Sequence, residues 1–359
     1  MSKKFDAKIF NEEAFGKYIS TIPDTSRVQL LQSGAVRPND EIFNLFQGQV
    51  NSYYGRIPYF GRIDGDPVNY DGQTDITATS LSTFDRGVLA YGRAKAWTEK
   101  DFSYDITSGV DFMSQVGQQV VGYWAKIDQS MLLKLLGGIF GMTTPKENKA
   151  FVDAHTLDVS GDLATKGKVA EDTLNNALQK ACGDNKNIFS LIIMHSQVAT
   201  NLENINLMKR WTQTDANGLT RELSLGSWNG KTVLIDDSMP TEKATEVGSS
   251  AEEGTHIPAG TKYTTYVLGQ GAIEFGALPV KRPYEMDRDP AKNGGEDTLY
   301  SRKRNYLGVA GLSYEKKSQA SLSATDKEIG DASNWTLIND GKTYIDHKAI
   351  PMARIISRG

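Results

Sequence analysis

Between Thr107 and Phe140 the large apolar residues fall at Met113, Val116, Val120, Trp124, Ile127, Met131, Leu135 and Ile139. Steps of three and four put all eight on one stripe of an α-helix. Gln115, Gln118, Gln119, Lys126, Gln129 and Lys134 occupy the other face. At 1.5 Å per residue such a helix is roughly 50 Å long, whereas most globular helices have about 11 residues. Gly137, Gly138, Gly141 and Pro145 read as its stop signals. Gly117 and Gly122 inside it each cost about 1 kcal/mol against Ala, and read as points of close packing against another segment.

The segments before this helix bury little of themselves. Residues 1–58 are loosely patterned, with short helices expected over Glu12–Ser20 and Asp40–Gln47, the second with Asp40 as its N-cap. They read as an arm that becomes ordered by packing on something else. From Tyr59 to Trp97 the pattern is that of a long two-stranded excursion. Asp64-Gly65-Asp66-Pro67 and Tyr70-Asp71-Gly72 mark turns, Thr74–Thr83 is rich in Thr and Ser, and Gly87–Trp97 is the returning strand. A hairpin like this is marginal alone and needs a partner surface.

After the long helix the pattern is α+β. A helix is expected over Lys168–Cys182, closed by Gly183, then a strand over Asn187–Met194 buried on both faces. His195-Ser196-Gln197 caps a helix over Val198–Met208, and Trp228–Asp237 holds a turn and a strand. Tyr263–Leu268 and Ala272–Phe275 read as a strand pair around Gly269-Gln270-Gly271. The tail from Tyr284 onward is rich in strands and turns. There are no internal repeats and no low-complexity tract.

Composition narrows the function. The 359 residues are enough for two to three domains at about 150 each, and are 39% hydrophobic and 23% charged. Lys and Arg number 40 against 44 Asp and Glu, a net charge of −4 that argues against a free-standing nucleic-acid binder. The one cysteine, Cys182, forbids an intrachain disulfide and a thiolate cluster, and the four histidines are scattered. The first residues, Met1-Ser2-Lys3-Lys4-Phe5-Asp6, lack the apolar core of a secretion signal. The apolar run around Met131–Phe140 is far short of the ~20 residues of a membrane span. The expectation is a soluble intracellular protein without a membrane segment.

Each candidate for chemistry has a plainer reading that wins. Gly226-Ser227-Trp228-Asn229-Gly230-Lys231-Thr232 has one residue too few between its glycines for a phosphate loop, and it leads into a strand. Gly269-Gln270-Gly271-Ala272-Ile273-Glu274 has Glu274 where a dinucleotide fingerprint needs glycine. The carboxylate pairs Asp236-Asp237, Asp287 with Asp289, and Glu252-Glu253 lack calcium-loop spacing. His195-Ser196 are sequence neighbours, which rarely meet in triad geometry. Cys182 is a packed small hydrophobe. The basic run Arg302-Lys303-Arg304, flanked by Tyr300 and Tyr306, reads either as a solvated strand face or as a surface for salt bridges between subunits or for contact with an acidic polymer. No enzyme, cofactor or metal site is expected. An arm, a projecting hairpin, an overlong helix and an α+β core point instead to obligate assembly.

That order of parts resembles the major capsid proteins of tailed bacteriophages, the Hong Kong 97 (HK97) type of fold. Gly65–Thr77 is similar to the E-loop of one branch of these coat proteins. Gly92–Trp97 is similar to its hairpin return, Val121–Gly141 to its spine helix, and Asn334–Ile355 to its ending. The resemblance implies an α+β, HK97-like chain with an N-terminal arm (1–58), an E-loop hairpin (59–104), a spine helix with the first part of the peripheral domain (105–184), an axial domain (185–283), and a return of the peripheral domain with a C-terminal strand (284–359). It implies a virion shell of hexamers and pentamers around double-stranded DNA, made in the host bacterial cytoplasm, and touching the DNA only through weak non-specific contacts. A portal, a separate scaffolding protein (no long charged leader precedes the arm) and a possible decoration protein are the implied partners. Axial-domain loops such as Thr212–Thr220 and Ala244–Ile257 would make hexamer contacts. The candidate subunit-interface residues are Asp64, Tyr70, Asp71, Thr74, Arg86, Arg93, Lys95, Trp97, Arg302, Lys303 and Arg304. No inter-subunit lysine–asparagine crosslink is expected, since Lys95 and Lys100 lie near the hairpin base. Another ring-forming virion part, in a tail or neck, and a soluble binding protein with an unrecognised ligand site are the competing readings.

Overall fold

The computed structural model describes residues 34–48, 53–60, 66–73, 75–76, 83–100, 112–214, 220–248 and 256–359. The expected helix over Glu12–Ser20 lies outside them. In chain order the elements run β1 (Val36–Arg37), α1 (Asp40–Gly48), β2 (Tyr54–Phe60), β3 (Thr83–Lys100), the long helix α2 (Phe112–Ile139), α3 (Lys146–Ala154) and β4 (Thr156–Asp158). They continue with α4 (Thr173–Cys182), β5 (Phe189–Met194), α5 (Ser196–Asn204), β6 (Met208–Thr214), β7 (Thr220–Trp228), β8 (Lys231–Ile235), β9 (Thr241–Ala244), β10 (Val247–Gly248), β11 (His256–Ile257) and β12 (Gly260–Gly269). Last come β13 (Ile273–Leu278), β14 (Tyr284–Asp289), β15 (Glu296–Val309), β16 (Leu312–Tyr314), α6 (Asp326–Ile329), β17 (Trp335–Leu337) and β18 (Met352–Ser357).

The first sheet is organised on β15. β14 and β13 share one of its edges in succession, β14 against Glu296–Ser301 and β13 against Arg304–Val309. β3 takes the other edge, from Lys100 opposite Glu296 to Leu89 opposite Leu307. β2 pairs with β3 only from Tyr54 opposite Leu89 to Phe60 opposite Thr83. The returning strand of the excursion is therefore mostly part of the sheet body, and only its first seven residues belong to the hairpin. β1 adds to β13 in parallel.

The second sheet runs β4-β18-β12-β5-β8-β7-β6, with β9 also on β12. β5 is buried on both faces, as its mostly apolar run, interrupted only by Ser190, demands. Ile192 and Met194 pack with Leu174, Leu178 and Val198 of α4 and α5, while Leu191 and Ile193 face α2. Tyr263–Leu268 and Ala272–Phe275 do not pair with each other: β12 lies in the second sheet, β13 in the first, and Gly269–Ala272 carries the chain between them. A sequence shows that two runs are extended, but not which distant strand each will meet. β18 likewise sits inside the second sheet, between β4 in parallel and β12 in antiparallel, rather than with the returning strands. After it, Arg358 donates to the carbonyls of Ser160, Pro258 and Thr245 at 2.6–2.7 Å.

α2 joins the two sheets. Its 28 residues span about 42 Å. Val120 and Trp124 lie on Leu299 of the first sheet, while Met131, Leu135, Leu136 and Ile139 fill a core shared by Leu307 and Val309 of the first sheet and Ile193 and Leu268 of the second. Full burial of each such side chain contributes about 1.5–3 kcal/mol, so this half of the helix fixes how the sheets meet. The helix runs through Gly137 and Gly138 instead of stopping there. Gly138 is the point of close approach, where a Cβ would come 2.7 Å from the Gly330 carbonyl. Gly122 has nothing within 4 Å of a Cβ, so it is not a packing point. At α1, Asn39 and not Asp40 is the cap: Asn39 Oδ1 accepts from the Glu41 and Ile42 N–H groups at 2.9 and 3.4 Å.

Candidate assembly surfaces

Past the β2–β3 ladder Tyr70 is 92% exposed and Ile76 73%, and Phe60, the last residue of the ladder, is 63% exposed. These exposed apolar groups make the segment a candidate contact surface. Asp71 Oδ1 accepts from the Gln73 N–H at 2.9 Å, and Gly72 at φ +74° closes that turn. Asp66, Asp71 and Asp75 stand between these apolar residues with no lysine or arginine from 66 to 76, so the tip is acidic as well as apolar. Asp64 and Thr74 lie outside the described residues, as do 215–219 and 249–255 of the two axial loops.

The basic candidates behave differently, because most find an acid within the chain. Arg86 is 6% exposed and forks onto Glu274 at 2.7 and 3.0 Å. Asn39 Nδ2 donates to the same carboxylate at 2.8 Å, tying the start of α1 to the first sheet. An Arg86 buried and paired in this way is not available to another subunit. Arg93 donates to Asp326 at 2.6 Å, and Lys134 reaches the other oxygen at 3.2 Å. Burial opposes ionisation of Asp326, but those two cations outweigh it and hold its carboxyl below the usual range. Trp97 meets Tyr123 edge-on at 5.4 Å on the α2 side of the sheet, and Lys95 is exposed.

The Arg302-Lys303-Arg304 run is split by the strand's period of two. Lys303 turns toward α2 and donates to Asp128, whose other oxygen accepts from Asn305 Nδ2 at 3.2 Å. Arg302 faces the other way, 2.9 Å from Glu285, whose carboxyl its hydrogen bond holds below the usual range. Arg304 lies 5.3 Å over the Tyr53 ring. The partner acids Asp128, Glu274, Glu285 and Asp326 were not among the sequence candidates. One signal was there for Asp128: it stands four residues after Trp124 and three before Met131, an acid on the apolar stripe of the spine.

Elsewhere the polar groups are spent on structure. His195 Nδ1 accepts from the Gln197 N–H at 3.1 Å as the cap of α5. Asn229 and Gly230, at φ 49° and 73°, form the tight turn from β7 to β8, where Trp228 pairs with Lys231. Among the described residues no group of three or more His, Cys, Asp or Glu is placed to hold a metal ion. No helix among them is long and apolar enough to cross a membrane.

No protein-family model matches the chain. It is 26% identical over 331 residues to the major capsid protein of Bacillus phage SPP1, an alignment covering 92% of each. Its fold is similar to the capsid asymmetric unit of Cyanophage Pam1, with a TM-score of 0.54 at 10% identity over 100% of this chain and 97% of that one. The capsid of Ralstonia phage GP4 gives a TM-score of 0.50 at 11% identity, covering 86% of this chain and 84% of that one. With its arm-side helix, hairpin, spine and two sheets, the chain has the α+β Hong Kong 97-type fold of the tailed-phage major capsid proteins that its sequence resembles.

Proposed function

We propose that this chain is the major subunit of a virion shell, a structural protein whose copies associate as hexamers and pentamers around double-stranded DNA. The observation that carries this reading is the hairpin. It leaves Phe60, Tyr70 and Ile76 in water, whereas outside it Leu322 is the other strongly exposed large apolar side chain among the described residues, and burial against a neighbouring copy would recover that area. Similarity over 92% of its length to a major capsid protein supports the same reading. Tyr70, Asp71 and Lys95 are the sequence candidates whose side chains suit inter-subunit contact, and Arg93, Trp97, Arg302, Lys303 and Arg304 serve first to stiffen the subunit. A net charge of −4 suits a wall that packaged DNA should touch only weakly. The reading carries with it a separate scaffolding protein, a portal, a possible decoration protein and synthesis in the host cytoplasm.

The test is expression of the chain alone and with its scaffolding partner, viewed by negative-stain electron microscopy and light scattering. Closed particles or free hexamers are expected. Deletion of Asp64–Thr83 should abolish shells and leave a folded subunit. Normal shells from that variant would sink the hairpin assignment. Rings of fixed copy number would make the chain a tail or neck part, and a monomer under both conditions would remove the shell reading altogether.

A further inference from the structure

His155 lies where α3 turns into β4 and is 1% exposed. Its ring packs 4.4 Å from the Phe151 ring and meets His347 edge-on at 5.3 Å. His155 Nδ1 is 2.5 Å from the Met352 carbonyl, and Nε2 is 3.1 Å from His347 Nδ1. Those contacts determine where the protons are. A carbonyl oxygen can only accept, so His155 Nδ1 carries the N–H. A buried imidazole with no carboxylate bonded to it among the described residues is neutral, so its Nε2 is a lone pair. His347 Nδ1 must then donate, which leaves His347 Nε2 as the basic nitrogen.

We propose that His155 and His347 form an acid latch holding the turn before β18 against the α3–β4 corner. A proton on His347 Nε2 would leave the bond intact, because Nδ1 still donates. A proton on His155 Nε2 sets two N–H groups against each other at the same 3.1 Å. The latch therefore opens when the buried His155 takes up a proton.

The groups around His155 bear on that proton. On the turn itself stand Asp346, whose carboxylate accepts from the Lys348 N–H at 3.0 Å, and Lys348. From β18 comes Arg354, whose N–H donates to the His155 carbonyl at 2.8 Å and whose guanidinium lies 5.0 Å over Phe140. From α4 come Lys180, on the Thr156 carbonyl at 2.7 Å, and Cys182, on the Ile350 carbonyl at 3.4 Å. On α3 Asp153 is held by Lys149, and on β4 Asp158 lies 3.7 Å from Lys262. Asp346 is thus the acid that favours a charge on His155. Burial first, and His347 beyond it, oppose that charge and hold His155 down to about 4 from an ordinary 6.5.

The sign of the pH effect follows. A histidine whose folded value is depressed is protonated first in the unfolded chain, so its contribution is full above about pH 6.5 and is lost as pH falls toward 4. That gap corresponds to a roughly 300-fold change in the folding constant.

Ring-nitrogen NMR of the soluble full-length chain at pH 7.5 tests the latch directly, with His195→Gln and His256→Gln used to assign the remaining pair. Nδ1–H tautomers at both His155 and His347 are expected, with His155 unprotonated down to below pH 5. An Nε2–H tautomer at either ring, or titration of His155 near 6.5, would overturn the proposal. Urea midpoints between pH 7.5 and 4.5 give the second reading. The unmodified chain should lose stability relative to His155→Gln by up to about 70-fold across that range, and parallel curves would refute the latch. Should His155→Gln fail to fold, the NMR result on the unmodified residues decides alone.

Discussion

Asp128→Ala tests whether the spine helix is held to its sheet by charge as well as by apolar area. Asp128 is 8% exposed and accepts from both Lys303 and Asn305. The Lys303 side chain is 18% exposed, so after the substitution its ammonium stays largely out of water without its carboxylate. Breaking one side of a buried pair costs about 3–5 kcal/mol. The gain in helix propensity from Asp to Ala is only about half a kcal/mol, so the net loss is roughly 100-fold or more in the folding constant. The pair itself is not expected to be a large source of stability. Asp128→Leu combined with Lys303→Met replaces both charges with apolar groups of similar volume, and such exchanges are neutral or stabilising by about 1–4 kcal/mol. Asn305 keeps its hydrogen bond to the Tyr91 hydroxyl at 3.2 Å in that background. Urea unfolding followed by circular dichroism and by tryptophan fluorescence gives both numbers, since Trp124 lies 5.9 Å from the Lys303 ammonium. A single variant costing under about 1 kcal/mol, or a double variant as unstable as the single one, would refute the reasoning.

Two glycines of the spine should respond in opposite directions. Gly122→Ala meets open space and should stabilise the helix by up to about 1 kcal/mol, whereas Gly138→Ala drives a methyl against the Gly330 carbonyl and should lower the melting temperature. Cys182 is fully buried and burial pushes its thiol up to about 11, so it should react with an aromatic disulfide reagent only when the chain unfolds. Reaction of the folded chain at the rate of a free thiol would contradict the packing of α4.

Local pattern carried much of this fold into the sequence. The stripe from Met113 to Ile139 announced the spine, the apolar run over Asn187–Met194 announced a strand covered on both faces, and His195 was legible as a cap. What stayed hidden depended on distance along the chain. Nothing in Tyr263–Phe275 tells that one strand joins Ile192 and the other Leu307. Gly122 and Gly138 look equivalent until the Gly330 loop is placed beside one of them. The basic run at 302–304 read as one patch, though a strand must send its middle residue to the opposite face, and its partner Asp128 lies 175 residues away. For the assembly surface, the turn-rich acidic hairpin was visible, while the commitment of Arg86 and Arg93 inside the subunit was not.

The interior place of β18 also sets the timing of synthesis. A ribosome makes β4 and β12 well before Met352–Ser357, and until that strand arrives their facing edges have no partner. Strand edges left open in this way invite pairing with other chains. The second sheet thus cannot close on a chain still being extended through residue 350. The last strand to be made is the one that joins β4 to β12 and removes both open edges at once.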